Sequence, residues 1–225
     1  MTASPRPSDF EARTNATYDA LMWALSRPGL PRSLPETGLA QVIETLIDLE
    51  CAVHCDDEAL RTLATRTGAT LTTPDCADHL FLTAAPTPDL LRILRMGSDL
   101  HPEDGATLVC PASFGTGPRL RLTGPGCNGP VDLAVNGPTP AFWAERARVM
   151  RYPMGVDLLL IAGDRVIGQI DQGYQGRNLD PASGEATDGG ESFTAQMFGA
   201  TLLASAGMDP MAEGLGASPI TGVLV

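Results

Sequence analysis

The chain has 225 residues, 43% of them apolar and 19% charged, with a net charge of −12. That balance describes a folded globular protein rather than a disordered one, and it repels phosphate backbones and anionic lipid heads, so neither nucleic acid nor a membrane surface is an expected partner. All 15 basic residues are arginines, which excludes a pyridoxal-phosphate lysine and a Walker-A lysine, because guanidinium cannot supply a deprotonatable amine.

The chain opens on "MTASPRPSDF", which carries no apolar signal core, and no apolar run is long enough to span a bilayer, so a cytoplasmic protein is expected. Its five cysteines are then reduced thiols. The first predicted helix is capped at Ser8/Asp9, turns Phe10, Thr14, Thr17, Leu21, Met22 and Leu25 to one side, and stops at Pro28-Gly29. A proline-broken link follows. A second amphipathic helix is predicted to run from Leu39 through Val53, and a third is capped by Asp56 or Asp57 and ended by Gly68.

Beyond that point strands mix with helices. His79 to Ala85 reads as a buried strand, and Thr87-Pro88 starts the helix "DLLRILRMG". "GATLVC", "RLRLTG" and "VDLAV" read as strands, Pro140 opens the helix "AFWAERARVMR", and "VDLLLIAGDRVIGQI" reads as a hairpin around Ala162 to Arg165. The class is α/β, in layers. Residues 171–225 form a Gly/Ala-rich segment, with a loop over "LDPASGEATDGGES" and a helix over "FTAQMFGATLLASAGM".

Four stretches invite a chemical reading. "CAVHC" on a helix puts Cys51, His54 and Cys55 on one face, the start of a zinc site, but no second pair completes it, and two core thiols beside an edge histidine fit better. Cys110 after an apolar strand, with His101 upstream, is a conceivable thiol–imidazole pair, while "HPEDG" reads as a solvated turn. "RLTGPGCNGPVDL" looks like a phosphate cradle, yet Pro125 and Pro130 lack N–H groups and a strand, not a helix, follows, so it reads as a turn in which Gly124 and Gly126 allow close approach. Asp157 enters an otherwise apolar strand; it either ties down the preceding turn or contacts a ligand or subunit. No catalytic residue and no metal set emerges.

In order, "F…LMWALSRPG", "HPEDGATLV", "LRLTGPGCNG", "FWAERARVMRYPMGVDLLLI" and "DRVIG" resemble the H subunit of the bacterial carbon–phosphorus lyase system, over roughly residues 10–168. The resemblance implies one domain over 1–170, a three-layer α/β/α sandwich similar to pyridoxal-phosphate-dependent transferases but without the cofactor, and a homodimer joined to three other subunits. That assembly makes α-D-ribose 1-methylphosphonate 5-triphosphate from ATP and an alkylphosphonate. ATP, S-adenosylmethionine and an iron–sulfur cluster are expected in partner subunits. The matching motifs put forward Arg27, Gly124, Gly126, Arg151, Tyr152, Gly155 and Asp157 as ligand or subunit contacts. After "DRVIG" the family carries a Leu-Pro-Arg-Thr-like stretch, and this chain departs from it with "QIDQGYQGRNLDPASGE". Two other readings stand beside this one: a self-sufficient enzyme for a small anionic ligand, using Asp157, His101 and arginines, and a stand-alone binding module.

Overall fold

The structure, a computed structural model, describes residues 6–123, 127, 129–151, 154–169, 178–179 and 191–192. Two compact units divide the chain, residues 1–173 and 174–225. In the second, β10 (Asn178–Leu179) and β11 (Glu191–Ser192) pair antiparallel. The two ends of the stretch expected as a loop are thus strands, and the helix expected over 193–208 lies outside the described residues.

The first unit begins with α1 (Asp9–Ser26). Ser8 and Glu11 form a reciprocal capping box, with the Glu11 N–H donating to Ser8 Oγ at 3.2 Å and the Ser8 N–H to Glu11 Oε2 at 2.7 Å. After Pro28 and Gly29 come β1 (Arg32–Ser33) and α2 (Ala40–Leu46). The helix expected to reach Val53 stops at Leu46. Ile47 turns extended, and the Asp48 carboxylate accepts the Glu50 N–H at 2.9 Å, an Asx turn that competes with further helix. Val53 belongs instead to β2 (Ala52–Cys55), followed by α3 (Glu58–Arg66), which Asp57 caps as expected, and β3 (Thr70–Leu71).

The second half runs β4 (His79–Phe81), α4 (Pro88–Leu91), β5 (Thr107–Pro111), β6 (Ser113–Leu122), β7 (Val131–Asn136), α5 (Pro140–Val149), β8 (Asp157–Ala162) and β9 (Arg165–Gln169). The fourth helix is one turn, shorter than its sequence pattern suggests; its C-terminal residues bond i to i+3, and Arg92 turns to carboxylates instead. The β8–β9 hairpin forms as expected, with Ala162 opposite Arg165 and Gly163 at φ 63°, a conformation glycine adopts without a steric penalty.

Seven strands form one sheet in the order β1-β9-β8-β5-β4-β2-β3. The run from β8 to β3 is parallel, and β9 and β1 close that side antiparallel. The continuous apolar runs arise because both faces are covered. Phe81, Val109, Leu159, Ile161 and Val166 face a core with α1, α2 and α3. Leu80, Leu108, Cys110, Leu158, Leu160 and Ile167 face a second core with α4, α5 and the antiparallel β6–β7 ribbon.

α1 buries Thr17 and Leu21 of the expected face, with Leu25 packed partly against the core, but adds Ala20 and Ala24 in place of Phe10 and Met22, which are 52% and 38% exposed. Alanine stands at position 24 because the helix backbone there lies directly on β9. A β-carbon on Gly168 would come within 2.7 Å of Ala24 and Leu25 main-chain atoms. Phe10, Tyr18 and Met22 are left facing outward.

Candidate functional site: the strand ends and two motif clusters

In an open α/β sheet the crevice for a ligand lies at the carboxyl ends of two strands whose connections depart to opposite faces. That place is between β2 and β4. From β2 the chain goes through α3, on the α1 side, to β3; from β4 it goes through α4, on the other side, to β5. The crevice holds the protein's own side chain. Asp56 accepts the Thr83 N–H at 2.9 and 3.0 Å and the Thr83 hydroxyl at 3.1 Å, and its own N–H donates to the Phe81 carbonyl. Asp57 beside it caps α3 through the Ala59 and Leu60 N–H groups. An anionic ligand would meet carboxylates here, with the helix N–H groups already bonded.

The motifs of the sequence gather elsewhere, in two clusters. In the first, the Arg27–Gly29 turn meets β9 and the β6–β7 ribbon. The Gly29 N–H donates to the Gly168 carbonyl at 3.2 Å. Gly29 has φ 82°, and a β-carbon there would come within 2.7 Å of Leu122 and 3.0 Å of Val131. The Cys127 thiol lies 3.8 Å from the Pro28 carbonyl. Just outside, the guanidinium carbons of Arg27 and Arg32 stand 5.0 and 5.2 Å from the centre of the Trp23 ring. Arg32 also pairs with Asp19 at 3.3 Å. Trp23, Arg32, Asp19 and Ser33 line a shallow recess of about 530 Å³. Trp23 and Arg32 were not singled out by sequence reasoning, although Trp23 in the last turn of α1 and Arg27 at its C-cap sit four apart, a spacing that brings side chains together.

The second cluster joins Arg151, Gly155 and Asp157 to the 96–107 segment. Arg151 exchanges an antiparallel bridge with Met154 and bonds both carboxylate oxygens of Asp99 at 3.2 Å. The buried Gly155 donates its N–H to the Met96 carbonyl, and Asp157 its N–H to the Ala106 carbonyl. Asp157 opens β8 opposite Thr107 and is half-buried. Arg27 and Arg151 therefore follow helices on opposite faces of the sheet, and the expected contact residues do not form one group. Gly124, Gly126 and Tyr152 lie outside the described residues. Close by, and also unanticipated, Glu145 of α5 is nearly buried between Arg92 at 2.8 Å and Arg148 at 2.5 Å, and hydrogen bonds from Arg148, then Arg92, hold its carboxyl down at about 2.

The remaining motifs take their plainer roles. "CAVHC" is not helical: on β2, Val53 and Cys55 point into the α-helical core, while His54 points the other way, with Nδ1 3.1 Å from the Thr72 carbonyl. No group of three metal-binding side chains occurs among the described residues. Cys110 is buried and burial pushes its thiol up to about 12; Cys55 is pushed up to about 11 in the same way. His101 lies before β5 and Cys110 near its far end, so the two make no pair; His101 contacts Glu103 at 3.1 Å on an exposed turn. β6 and β7 flank the glycine-rich connection antiparallel, so a strand and not a helix follows it, while residues 124–126 and 128 of the expected turn lie outside the described residues.

A family model described as "Bacterial phosphonate metabolism protein (PhnH)" matches residues 8–169. The chain is 37% identical over 166 residues to HtxG of Stutzerimonas stutzeri, a protein named as a C-P lyase subunit; the match covers 68% of this chain and 81% of the relative.

Proposed function

The chain belongs to the bacterial phosphonate metabolism protein family PhnH, and from that premise we propose that it is a subunit of a carbon–phosphorus lyase complex. The observation that carries this reading is the match to HtxG over most of both chains. In finer detail, the complex makes α-D-ribose 1-methylphosphonate 5-triphosphate from ATP and an alkylphosphonate, in the cytoplasm. ATP, S-adenosylmethionine and the iron–sulfur cluster are handled by the other subunits. The chain is then a scaffold and positioning subunit built on a sandwich similar to pyridoxal-phosphate-dependent transferases. The Cys55 and Cys110 thiols support a non-nucleophilic role, since burial favours their protonated form. The Asp56–Thr83 bonds, which set a carboxylate at the strand ends where such a fold would hold an anionic ligand, support it too.

Self-association fits the outward side of α1. Phe10, Tyr18 and Met22 follow one another at multiples of four, with Asp9 and Glu11 at one end of the stripe and Arg27 and Arg32 just beyond the other. Two copies laid antiparallel would set acid against base at both ends. No helix among the described residues is long and apolar enough to cross a membrane.

The test is reconstitution. Co-expressed with the other core subunits, the chain should co-purify in fixed ratio, and omitting it should abolish formation of the ribose phosphonate from ATP and methylphosphonate. Turnover of that pair by the isolated chain would sink the subunit reading in favour of a stand-alone enzyme.

A further inference from the structure

Leu100 is 85% exposed, the highest value among the large apolar side chains described. It is not on a loose loop. The 97–105 loop is closed at its neck by the Met96–Gly105 bridge and by the Ala106 N–H donating to the Arg95 carbonyl. Inside, Ser98 N–H donates to the His101 carbonyl at 2.9 Å, His101 N–H to Ser98 Oγ at 3.0 Å, and Gly105 N–H to the Pro102 carbonyl at 3.0 Å. Gly97, at φ 74°, lies so close that a β-carbon would be 2.6 Å from the Pro102 carbonyl oxygen. From outside, Arg151 grips Asp99, the residue before Leu100, through both carboxylate oxygens.

An apolar side chain fixed in water gains nothing for the fold of its own chain. The backbone that carries it is already ordered, however, so a partner that covers it gains the transfer free energy against only the rotamer entropy of one leucine. We infer that the 97–105 loop is a preformed knob whose Leu100 inserts into an apolar pocket on another subunit of the carbon–phosphorus lyase complex. Around the knob, the exposed carboxylates of Glu103 and Asp104 have no arginine partner among the described residues, while Asp99 has Arg151. The rim is acidic, so the fitting pocket is ringed by arginine or lysine, and a second copy of this chain, itself strongly acidic, is the poorer match. The inference rests on the subunit reading above and adds where the partner sits.

The experiment co-expresses the chain with the other core subunits and compares three variants by affinity pull-down and mass photometry. Leu100→Glu should weaken association by about tenfold or more, with its thermal unfolding unchanged because the tip is exposed. Leu100→Met should associate like the parent. Leu49→Glu, at a residue 74% exposed on the turn before β2, controls for an added surface charge and should also associate normally. If Leu100→Glu assembles as the parent does, the knob is wrong and the subunit reading stands. A parent chain that binds none of the core subunits would end both. Loss of self-association alone, with the other subunits still bound, would overturn the inference by making this an interface between copies. Assembly with the parent should slow as salt rises, and Glu103→Gln with Asp104→Asn should flatten that dependence.

Discussion

Gly168 and Ala24 touch backbone to backbone: a β-carbon on Gly168 would lie 2.7 Å from the Ala24 carbonyl carbon and 2.8 Å from its oxygen. The glycine of "DRVIG" and the alanine of "WALS" thus set how closely α1 sits on β9, and with it the place of the Arg27–Gly29 turn that follows.

Gly168→Ala should therefore destabilise by about 1–3 kcal/mol, the usual cost of overpacking a filled interface. The atoms in the way are main-chain, so Ala24→Gly should not rescue it. Urea unfolding of the single and double variants measures both effects; a rescued double variant would mean that side chains, not backbones, are in contact.

Glu145 gives a dependence on acid. Its folded carboxyl titrates at about 2 against an ordinary 4.5, because Arg148 and Arg92 bond the charged form. The unfolded chain thus binds a proton more readily between those values, and stability from this group is full above pH 4.5 and lost as pH falls toward 2. Glu145→Gln should melt lower than the parent at pH 7, and the gap should narrow below pH 4. A gap constant across that window would place the cost in packing rather than in charge.

Thiol labelling separates the cysteines. Cys76 is exposed, whereas Cys55 and Cys110 are buried with thiols pushed up to about 11 and about 12. At pH 8 a disulfide reagent should modify Cys76 in the native protein and reach Cys55 and Cys110 only after denaturation, as peptide mapping would show. Rapid native labelling of Cys110 would reopen a nucleophilic role.

Asp56→Ala removes the acceptor of the Thr83 N–H and hydroxyl. Both residues are exposed, so water can replace the lost partner and the cost should be about 0.5–1.5 kcal/mol. Amide exchange at Thr83 should quicken while the β4 interior stays protected. Unchanged exchange at Thr83 would mean the carboxylate does not hold this strand end.

The sequence made some of this architecture legible and hid the rest for definable reasons. Local chemistry spoke clearly: the Ser8 cap, the Asp57 cap, the Gly163 turn and the apolar runs of β5 and β8 were all readable. What pairing decides across the chain was not. Val53 continues a helical pattern, yet it lies on β2 because His79 and Leu71 stand beside it from residues distant in sequence. On α1, Thr17 and Leu21 are buried as expected, but Phe10 and Met22 are not: hydrophobicity favours them, while the close approach to Gly168 needs alanine at position 24. Leu100 reads as one more apolar residue until its exposure is seen.

The two outermost strands of the seven-stranded sheet are two residues each: β1 on one flank, between Pro31 and Pro35, and β3 on the other. So short a border offers too few free N–H and C=O groups for a neighbouring chain to add itself as an eighth strand, and the prolines withhold donors at one side. The sheet is sealed against stacking into fibres, and by the same geometry it is closed to any companion that would zip on by main-chain pairing. A partner that meets this sheet at either flank must recognise it through side chains.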